Sequence, residues 1–424
     1  MREELDTAWA IFDLIKYRST ETAPDISTFG LMIHACALRG EAERALELFR
    51  YMTVERGLEP DEKIYNTLIH TCAVRKDYFL DSWKYAIEMR NKGIKVSLWT
   101  LNLLLQACGK AGDLTRARLL VRLMMSAGSS EYQPDERSFQ HLLRAYATAK
   151  LVKGANTMPQ EAFFLGPTPG GNNGTQLTEE ALDKLPFMKA AVLDTKRDIL
   201  SEATAVVRYI SYEKPEFYST RILNAYMDVC LTQHGHYFLK TTYQYYFAKA
   251  DGENEEHAGD FDEPVHYDPT HIALPQEVGL EEEPEKDPTP RATGSTYTPT
   301  RAKKPPRSLW TFEIALEYAR KQRNIIVARK VWGDRMKFCK TAEYWSMMQA
   351  VRRRLDFTAE SLMMQTLAKC GYLDEALQRL EVLQHEYPWT QRDLKILYDM
   401  AIAEEDMGAV ERLRKVLKLD DKVW

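Results

Sequence analysis

The sequence predicts an all-α protein, a right-handed α-solenoid of helix-turn-helix repeats that is interrupted by an insertion and a disordered acidic linker. Three observations support this fold class. A motif repeats about every 36 residues, each period contains two helical apolar stripes, and glycine or proline stands at the joints. The repeated segments are residues 29–33, 65–69 and 101–105, and Cys36, Cys72 and Cys108 keep the same offset. Units of this size cannot bury their own apolar faces, so they must stack.

Each period is predicted to hold two helices joined by a tight turn. In the unit that begins near residue 26, the first stripe is Phe29, Met32, Ile33 and Cys36, and the second is Ala42, Ala45, Leu46, Phe49 and Met52. Gly40 stands between the stripes, where a left-handed residue ends the first helix. Gly57 ends the second helix, and a proline before the next unit prevents the helix from continuing.

Two families of helix-pair repeats have this size. Tetratricopeptide repeats would show a Trp, Leu-Gly and Tyr signature in the first helix, and the sequence lacks it. The segments Ile64-Tyr65-Asn66-Thr67-Leu68-Ile69, Gly109-Lys110-Ala111-Gly112-Asp113-Leu114 and Gly57-Leu58-Glu59-Pro60-Asp61 instead resemble the pentatricopeptide repeat (PPR) family. The resemblance covers most of the chain outside the two interruptions. It implies an organellar RNA-binding protein, more similar to fungal mitochondrial members than to plant chloroplast ones.

The repeat pattern divides the chain into five regions. They are a PPR array at 1–146 with an incomplete first repeat, an insertion at 147–198 between the two helices of one repeat, degenerate repeats at 199–249, a linker at 250–308, and C-terminal PPR-like helices at 309–424. Within the last region, Glu343 to Leu355 is predicted to form a separate helix before the repeat motif resumes at Ser361. The chain opens inside a repeat, and its acidic first residues resemble neither a transit peptide nor a secretory signal, so we expect a longer parent protein.

Charge is distributed unevenly along the sequence. The chain carries a net charge of −5, but residues 250–290 contain fourteen acidic residues against Lys286 alone. Since this segment has little apolar surface to bury, it is expected to be disordered. The rest of the chain is mildly basic, which permits RNA binding through a local patch such as the arginines at 352–354. No apolar run is long enough to span a bilayer.

The family resemblance implies a specific set of RNA-contacting residues. In each repeat, the residue after the first-helix aromatic and the last residue of the unit contact the Watson–Crick edge of one base. The implied pairs are Gly30 with Asp61, Asn66 with Ser97, Asn102 with Asp135, and Gln140 with Glu216. An asparagine amide supplies both a donor and an acceptor, which suits a pyrimidine edge.

The resemblance also implies base preferences. Asn with Asp favours uracil, so Asn102–Asp135 is expected to prefer U, whereas Asn with Ser favours cytosine. Gly30 has no side chain with which to contact a base. Ile64 and Thr100 stand two residues before the contact position and are expected to wedge between bases. A structural interpretation stays open, because Asn and Asp at these places also serve as helix caps.

Other groups of residues are expected to pack in the core rather than to bind or react. The equivalent cysteines are predicted to be reduced packing residues rather than disulfides or metal ligands. The aromatic cluster at 237–247 is expected to lie in the core rather than to stack on bases. A deaminase domain would need a Cys-x-x-Cys motif, and the sequence contains none. We therefore expect no enzyme activity, no cofactor and no bound metal.

The sequence thus predicts an RNA-binding adaptor with sequence preference for single-stranded, U-containing mitochondrial RNA. Such an adaptor would act in the processing, stability or translation of that RNA. The expected location is the mitochondrial matrix, with the mitochondrial ribosome or other RNA-processing proteins as further partners. The alternative is a helical-repeat protein-interaction scaffold, such as a component that associates with the mitochondrial ribosome or its assembly.

Overall fold

The computed structural model describes residues 2–18, 24–126, 130–149, 187–188, 193–247 and 303–417. All regular secondary structure in these residues is helical, with eighteen α-helices, a few short 3-10 or π turns and no strand. The predicted all-α fold class is confirmed. Within the described residues, none of the helices combines the length and apolar character needed to cross a bilayer.

The helices follow one another as short, evenly sized elements. The first ten are α1 (Arg2–Arg18), α2 (Ile26–Arg39), α3 (Ala42–Arg50), α4 (Glu62–Val74), α5 (Phe79–Asn91), α6 (Leu98–Ala111), α7 (Leu114–Ser126), α8 (Glu136–Thr148), α9 (Lys196–Glu213) and α10 (Thr220–Thr232). The remaining eight are α11 (His236–Thr241), α12 (Leu309–Gln322), α13 (Ile325–Phe338), α14 (Ala342–Ser346), α15 (Gln349–Lys369), α16 (Leu373–Leu383), α17 (Gln391–Ala403) and α18 (Met407–Leu417).

The first helices of the repeats form a continuous stack. They are α2, α4, α6, α8, α10, α12, α15 and α17, and each packs against the next one in this order. Each is also packed against the helix that follows it in its own repeat, for example α2 against α3 and α12 against α13. The stack therefore continues from α8 to α10 and from α10 to α12, although long stretches of sequence separate these helices.

Local signals in the sequence set the beginning and end of the first helices. Asp25, Asp61 and Asp135 are N-caps whose carboxylates accept the backbone N–H three residues later. Gly40 and Gly112 are left-handed C-caps, with φ of 71° and 77°. At Gly112 a Cβ atom would lie 2.7 Å from the Thr148 carbonyl oxygen, so the packing of α6 on α8 also requires glycine there.

The core is a continuous apolar layer between the first and second helices. Phe29, Tyr65 and the cysteines Cys36, Cys72 and Cys108 are fully buried in it. Burial raises the pKa of the Cys36 thiol to about 11 and that of Cys72 to about 12. These thiols are therefore protonated packing groups at neutral pH.

A buried ion pair fixes α9 to the repeats before it. Arg118 of α7 donates two hydrogen bonds to the carboxylate of Glu202 in α9, at 2.7 and 2.8 Å, and both side chains are less than a tenth exposed. The hydroxyl of Tyr146 in α8 donates to the same carboxylate. Because α9 packs on α8 and α10, it takes the place of the second helix in the repeat that α8 opens.

Of the predictions about domain organisation, some fall outside the described residues and one is wrong. Most of the insertion at 147–198 and of the linker at 250–308 lies outside the described residues, so their boundaries stay predictions. The separate helix expected from Glu343 to Leu355 is wrong. The short α14 ends at Ser346, and α15 then runs without a break through both the expected helix and the repeat motif at Ser361. Met348, with φ −54° and ψ 130°, separates the two helices.

Candidate nucleic-acid interface

The expected contact residues share one place on the first helices. Each stands five residues after the N-cap of its helix, and we call this place the contact position. From α2 to α12 the contact positions are occupied by Gly30, Asn66, Asn102, Gln140, Asn224 and Glu313. Because consecutive first helices pack on each other, equivalent side chains follow one another along the stack. We call the four amides Asn66, Asn102, Gln140 and Asn224 the amide row.

Asn102 is held by two residues at the start of the next first helix. Its Oδ1 accepts a hydrogen bond from the Ser138 hydroxyl at 2.7 Å, and its Nδ2 donates to Asp135 at 3.2 Å. The Ser138 oxygen in turn accepts the backbone N–H of Asp135 at 3.1 Å. The predicted pair Asn102–Asp135 is thus brought together. One N–H and one lone pair of the amide have no partner in this set of bonds.

Asn66 is oriented in a similar way, but without its expected partner. Its Oδ1 accepts from the Thr100 hydroxyl at 2.7 Å, and its Nδ2 donates to Glu62 at 3.4 Å. Ser97 reaches the amide only through Thr100, since its N–H donates to the Thr100 hydroxyl oxygen at 3.3 Å. Asn66 is 8% exposed and Asn102 is 5% exposed, so only a narrow edge of each amide reaches solvent.

A third joint of this kind, which the repeat pattern did not indicate, lies between α10 and α12. Asn224 Oδ1 accepts from the Thr311 hydroxyl at 2.7 Å, and Asn224 Nδ2 donates to Ser308 at 3.1 Å. Ser308 is the N-cap of α12, as Asp135 is the N-cap of α8. A Ser or Thr three residues after an N-cap, facing an Asn in the previous first helix, is the signal that could have found it.

The residue opposite the contact position changes with its occupant. Where the contact position is Asn, the residue three after the next N-cap is a hydroxyl residue: Thr100, Ser138 or Thr311. Where it is Gly30 or Gln140, that residue is Ile64 or Ile222. A Cβ at Gly30 would lie only 3.2 Å from Ile64 Cδ1, so the larger isoleucine fills the space of the missing amide. The hydroxyl is therefore specific to the asparagine joints.

The structure places a different residue at the position predicted for the partner of Gln140. Glu216 lies in the short 3-10 turn Pro215–Phe217, and α10 begins three residues later than the sequence suggested. The N-cap of α10 is Ser219, whose hydroxyl donates to Glu136 at 2.7 Å. Ser219 therefore replaces Glu216 as the residue equivalent to Ser97 and Asp135.

The residues that were predicted to wedge between bases are buried. Ile64 is 2% exposed and Thr100 is fully buried, so the prediction that they wedge between bases is wrong. The residue before them, two after each N-cap, is exposed instead. Along the stack these exposed residues are Ser27, Lys63, Trp99, Arg137, Arg221 and Trp310, and we call them the N2 row.

The N2 row gives this edge of the stack a basic and aromatic character. In the part of the chain that the structure describes, Lys63, Arg137 and Arg221 form no ion pair, so their charges are not neutralised. Trp99 and Trp310 are each about half exposed, and the Arg137 guanidinium lies 5.7 Å from the Trp99 ring centre. Cations that bind phosphate and aromatic faces that stack on bases are the two elements of single-strand recognition.

Two titratable groups near the contact positions have shifted pKa values. Burial lowers the pKa of His141 to about 4, helped by the nearby Arg144, so this imidazole is neutral at pH 7. Burial raises the pKa of Glu313 to about 7, against the opposing effect of Arg335 and Arg354. Its Oε1 is buried and has no hydrogen-bond partner. The contact position of α12 thus differs in chemistry from the amide row.

The aromatic cluster at 237–247 lies mostly in the core. Of the aromatic cluster, Tyr243 and Phe247 are buried, Phe238 and Tyr246 pack partly against the core, and only Tyr237 and Tyr245 are exposed. The described residues contain no group of three or more His, Cys, Asp or Glu side chains arranged to hold a metal ion.

Comparison with known proteins agrees with the family resemblance. Residues 16–161 match the model of the pentacotripeptide-repeat region of PRORP. The mitochondrial 15S rRNA processing factor CCM1 of Clavispora lusitaniae is 25% identical over 419 residues, which cover 96% of this chain and 54% of that protein. The factor of the same name in Scheffersomyces stipitis is 23% identical, over 96% of this chain and 52% of that protein. The chain therefore spans about half the length of the curated relatives it matches.

The solved structures that match this chain include the pentatricopeptide repeat protein PPR10 from maize. Its crystal structure is 13% identical, with a TM-score of 0.41, and the match covers 98% of this chain and 51% of that one. The structure of PPR10 in complex with an 18-nt psaJ RNA element matches with a TM-score of 0.35 and 14% identity, over 98% of this chain and 52% of that one.

Proposed function

We propose that this chain, which belongs to the pentatricopeptide repeat proteins, acts in mitochondrial RNA processing as a non-catalytic adaptor that holds single-stranded RNA along the amide row. The observation that carries the proposal is the joint built three times from an asparagine, a hydroxyl and a helix N-cap. The relatives named as mitochondrial 15S rRNA processing factors support the process and the compartment.

The chemistry of the joint suits recognition of a pyrimidine. In the Asn102 joint, Ser138 and Asp135 fix the orientation of the amide and leave one donor and one acceptor free. Uracil presents an N–H next to a carbonyl oxygen, which this amide edge complements without rearrangement. By the family's preferences, Asn102–Asp135 would take uracil, and Asn66–Ser97 and Asn224–Ser308 would take cytosine.

The N2 row supplies affinity that does not depend on sequence. Lys63, Arg137 and Arg221 would contact phosphates, and the exposed faces of Trp99 and Trp310 would stack on bases. Each stacked base contributes about 1–3 kcal/mol, so several repeats must act together to bind a strand tightly. The basic edge agrees with an RNA partner even though the whole chain is acidic.

A protein-interaction scaffold, for instance at the mitochondrial ribosome, is the second candidate function. The low exposure of Asn66 and Asn102 favours it, because groups that are 8% and 5% exposed could serve the joint between repeats alone. Under this alternative the amide row stabilises the stack, and the exposed cations and tryptophans bind another protein or rRNA by shape.

The experiment that tests the proposal is a base scan with an amide deletion. The full 424-residue chain would bind short U-rich RNAs in which each nucleotide is replaced in turn. Asn102→Ala is expected to weaken binding of the preferred RNA roughly tenfold and to abolish the base preference at one nucleotide only. The bound RNA should be recovered at full length, as expected of an adaptor that is not a nuclease.

The matched control is Asn91→Ala, which removes an exposed amide from the end of α5, away from the contact positions. Unfolding of each variant in urea would show that the fold is intact. An equal loss at every nucleotide, or an unchanged affinity in a folded Asn102→Ala protein, would favour the scaffold instead.

A further inference from the structure

A second exposed aromatic site lies beyond the amide row, between α13 and α15. The short helix α14 is anchored by Tyr344, whose hydroxyl donates to Asp356 at 2.8 Å. The next residue, Trp345, points outward and is 63% exposed, and Met348 is 74% exposed. A fixed backbone therefore presents a large indole ring to solvent.

An arginine with an unused charge covers this ring. The Arg352 guanidinium lies 4.5 Å from the Trp345 ring centre and 5.1 Å from that of Tyr344. Among the residues that the structure describes, no carboxylate pairs with Arg352. The stack of Arg329 on Tyr372 differs in this respect, because Glu375 neutralises Arg329 at 2.8 Å. The Arg352–Trp345 stack therefore has a charge available for a ligand, whereas the Arg329–Tyr372 stack is a structural contact.

The sequence around Trp345 is mostly basic. Lys337, Lys340, Arg353 and Arg354 are exposed near it in the sequence, against the exposed acid Glu343. Arg353 uses one nitrogen to bind the Glu386 carbonyl oxygen at 2.7 Å, which fixes the first turn of α15. Such a surface complements a polyanion with unpaired bases, whose phosphates attract the cations and whose bases stack on indole.

This patch lies on and beside α15, the first helix that follows α12 in the stack. Arg354 interacts electrostatically with Glu313, the occupant of the contact position in α12. Glu313 follows Asn224, since α12 packs directly on α10. A strand that leaves the amide row at Asn224 and continues along the stack would therefore meet α15 next, the helix that carries Arg354 beside Glu313 and Arg352 beside Trp345.

We propose that Trp345 and Arg352 bind one nucleotide of single-stranded RNA that extends past the amide row, the indole stacking on its base and the guanidinium contacting its phosphate. The inference rests on the proposed function, because it assumes that the strand lies along the amide row. It adds a site in a joint between repeats, where the family resemblance assigns no contact.

The test compares RNAs of two lengths. A short U-rich RNA would match the contact positions from α2 to α10 at about one base per repeat, and longer RNAs would add about four nucleotides at the 5′ or the 3′ end. In the unmodified protein, one of the two extensions is expected to raise affinity roughly tenfold. Trp345→Ala should abolish that gain and leave binding of the short RNA unchanged, whereas Trp345→Phe should keep most of it.

Two further readouts separate stacking from charge. Arg352→Ala should lower the slope of log affinity against log salt concentration by about 0.7 for the longer RNA, because one phosphate contact is lost. Trp345→Ala should leave that slope unchanged. Tyr372→Ala, which removes the neutralised stack, is the matched control and should keep the full gain from the extension.

The outcomes distinguish this site from the proposed function. If the short RNA binds and Trp345→Ala keeps the gain from the extension, the patch serves another partner, such as a protein, and the inference is overturned while the proposed function stands. If only the extended RNA binds, and Trp345→Ala abolishes that binding, the patch is an RNA site but the amide row is not. If neither RNA binds the unmodified protein, both proposals are overturned.

Discussion

The joints between first helices in the N-terminal part of the stack and the joints around α15 use different chemistry. In the N-terminal part, Asn66 and Asn102 meet hydroxyls of the next first helix through neutral hydrogen bonds of 2.7 Å. After α12, none of the described joints has this form. There, Arg335 of α13 pairs with Asp356 of α15, and Arg379 of α16 pairs with Glu360 of α15 at 2.7 Å.

The difference indicates that some joints only hold helices together, whereas others also present polar groups to a ligand. A neutral amide that is oriented by one hydroxyl and one cap still has a donor and an acceptor left. An ion pair between helices consumes both charges, and once buried it must be fully paired to be tolerated. The neutral joints therefore suit base contact, while the ionic joints hold helices together without leaving a group free for a ligand.

The largest expected effect comes from breaking a buried ionic joint. Glu202→Ala leaves Arg118 without its carboxylate and removes the acceptor of Tyr146, so the free energy of unfolding should fall by about 3–5 kcal/mol. Urea denaturation monitored by circular dichroism measures the change. Glu381→Ala, which removes the half-exposed partner of Arg412, is the control and should cost about 1 kcal/mol or less. Equal losses in the two variants would contradict the assignment of Glu202 to a buried joint.

A smaller effect is expected from breaking a neutral joint. Thr100→Val keeps the volume of the side chain but removes the hydroxyl that donates to Asn66 Oδ1, which should cost about 1–2 kcal/mol of stability. The same urea titration measures it. Thr232→Val, in which an exposed hydroxyl bonded only to its own helix is removed, should change stability by a few tenths of a kcal/mol. A Thr100→Val protein as stable as Thr232→Val would show that the hydroxyl does not hold the amide.

The regular part of the fold could be predicted from sequence because each signal acts locally. An aspartate that caps a helix and a glycine that ends it depend on their immediate neighbours, so the C-cap at Gly40 and the capping interpretation of Asp61 and Asp135 could be predicted from the pattern. The buried cysteine stripe followed from helical periodicity. The predicted pair Asn102–Asp135 forms because Asp135 is the N-cap of α8 and Asn102 stands five residues after the N-cap of α6.

The misplaced residues depend on helix phase or on distant packing. Ile64 and Thr100 face the previous helix rather than solvent, and a shift of one position along the sequence turns a side chain by 100° around the helix. Glu216 was predicted as the partner of Gln140 because the periodic pattern does not reveal the 3-10 turn that delays the start of α10. The Asn224–Ser308 pair joins residues that are 84 positions apart, beyond the reach of a 36-residue period.

The central claim is tested most directly by a base scan on a variant in which a new contact is built at Gly30, in the repeat that lacks one. Gly30→Asn combined with Ile64→Thr would recreate the Asn102 joint, because Asp61 already caps α4 and threonine replaces the isoleucine that crowds Gly30. In a base scan, the double variant should gain about 5- to 10-fold preference for uracil at one additional nucleotide. Ile64→Thr alone should not. A folded double variant with the base profile of the unmodified protein would contradict the claim that the oriented amides contact RNA bases.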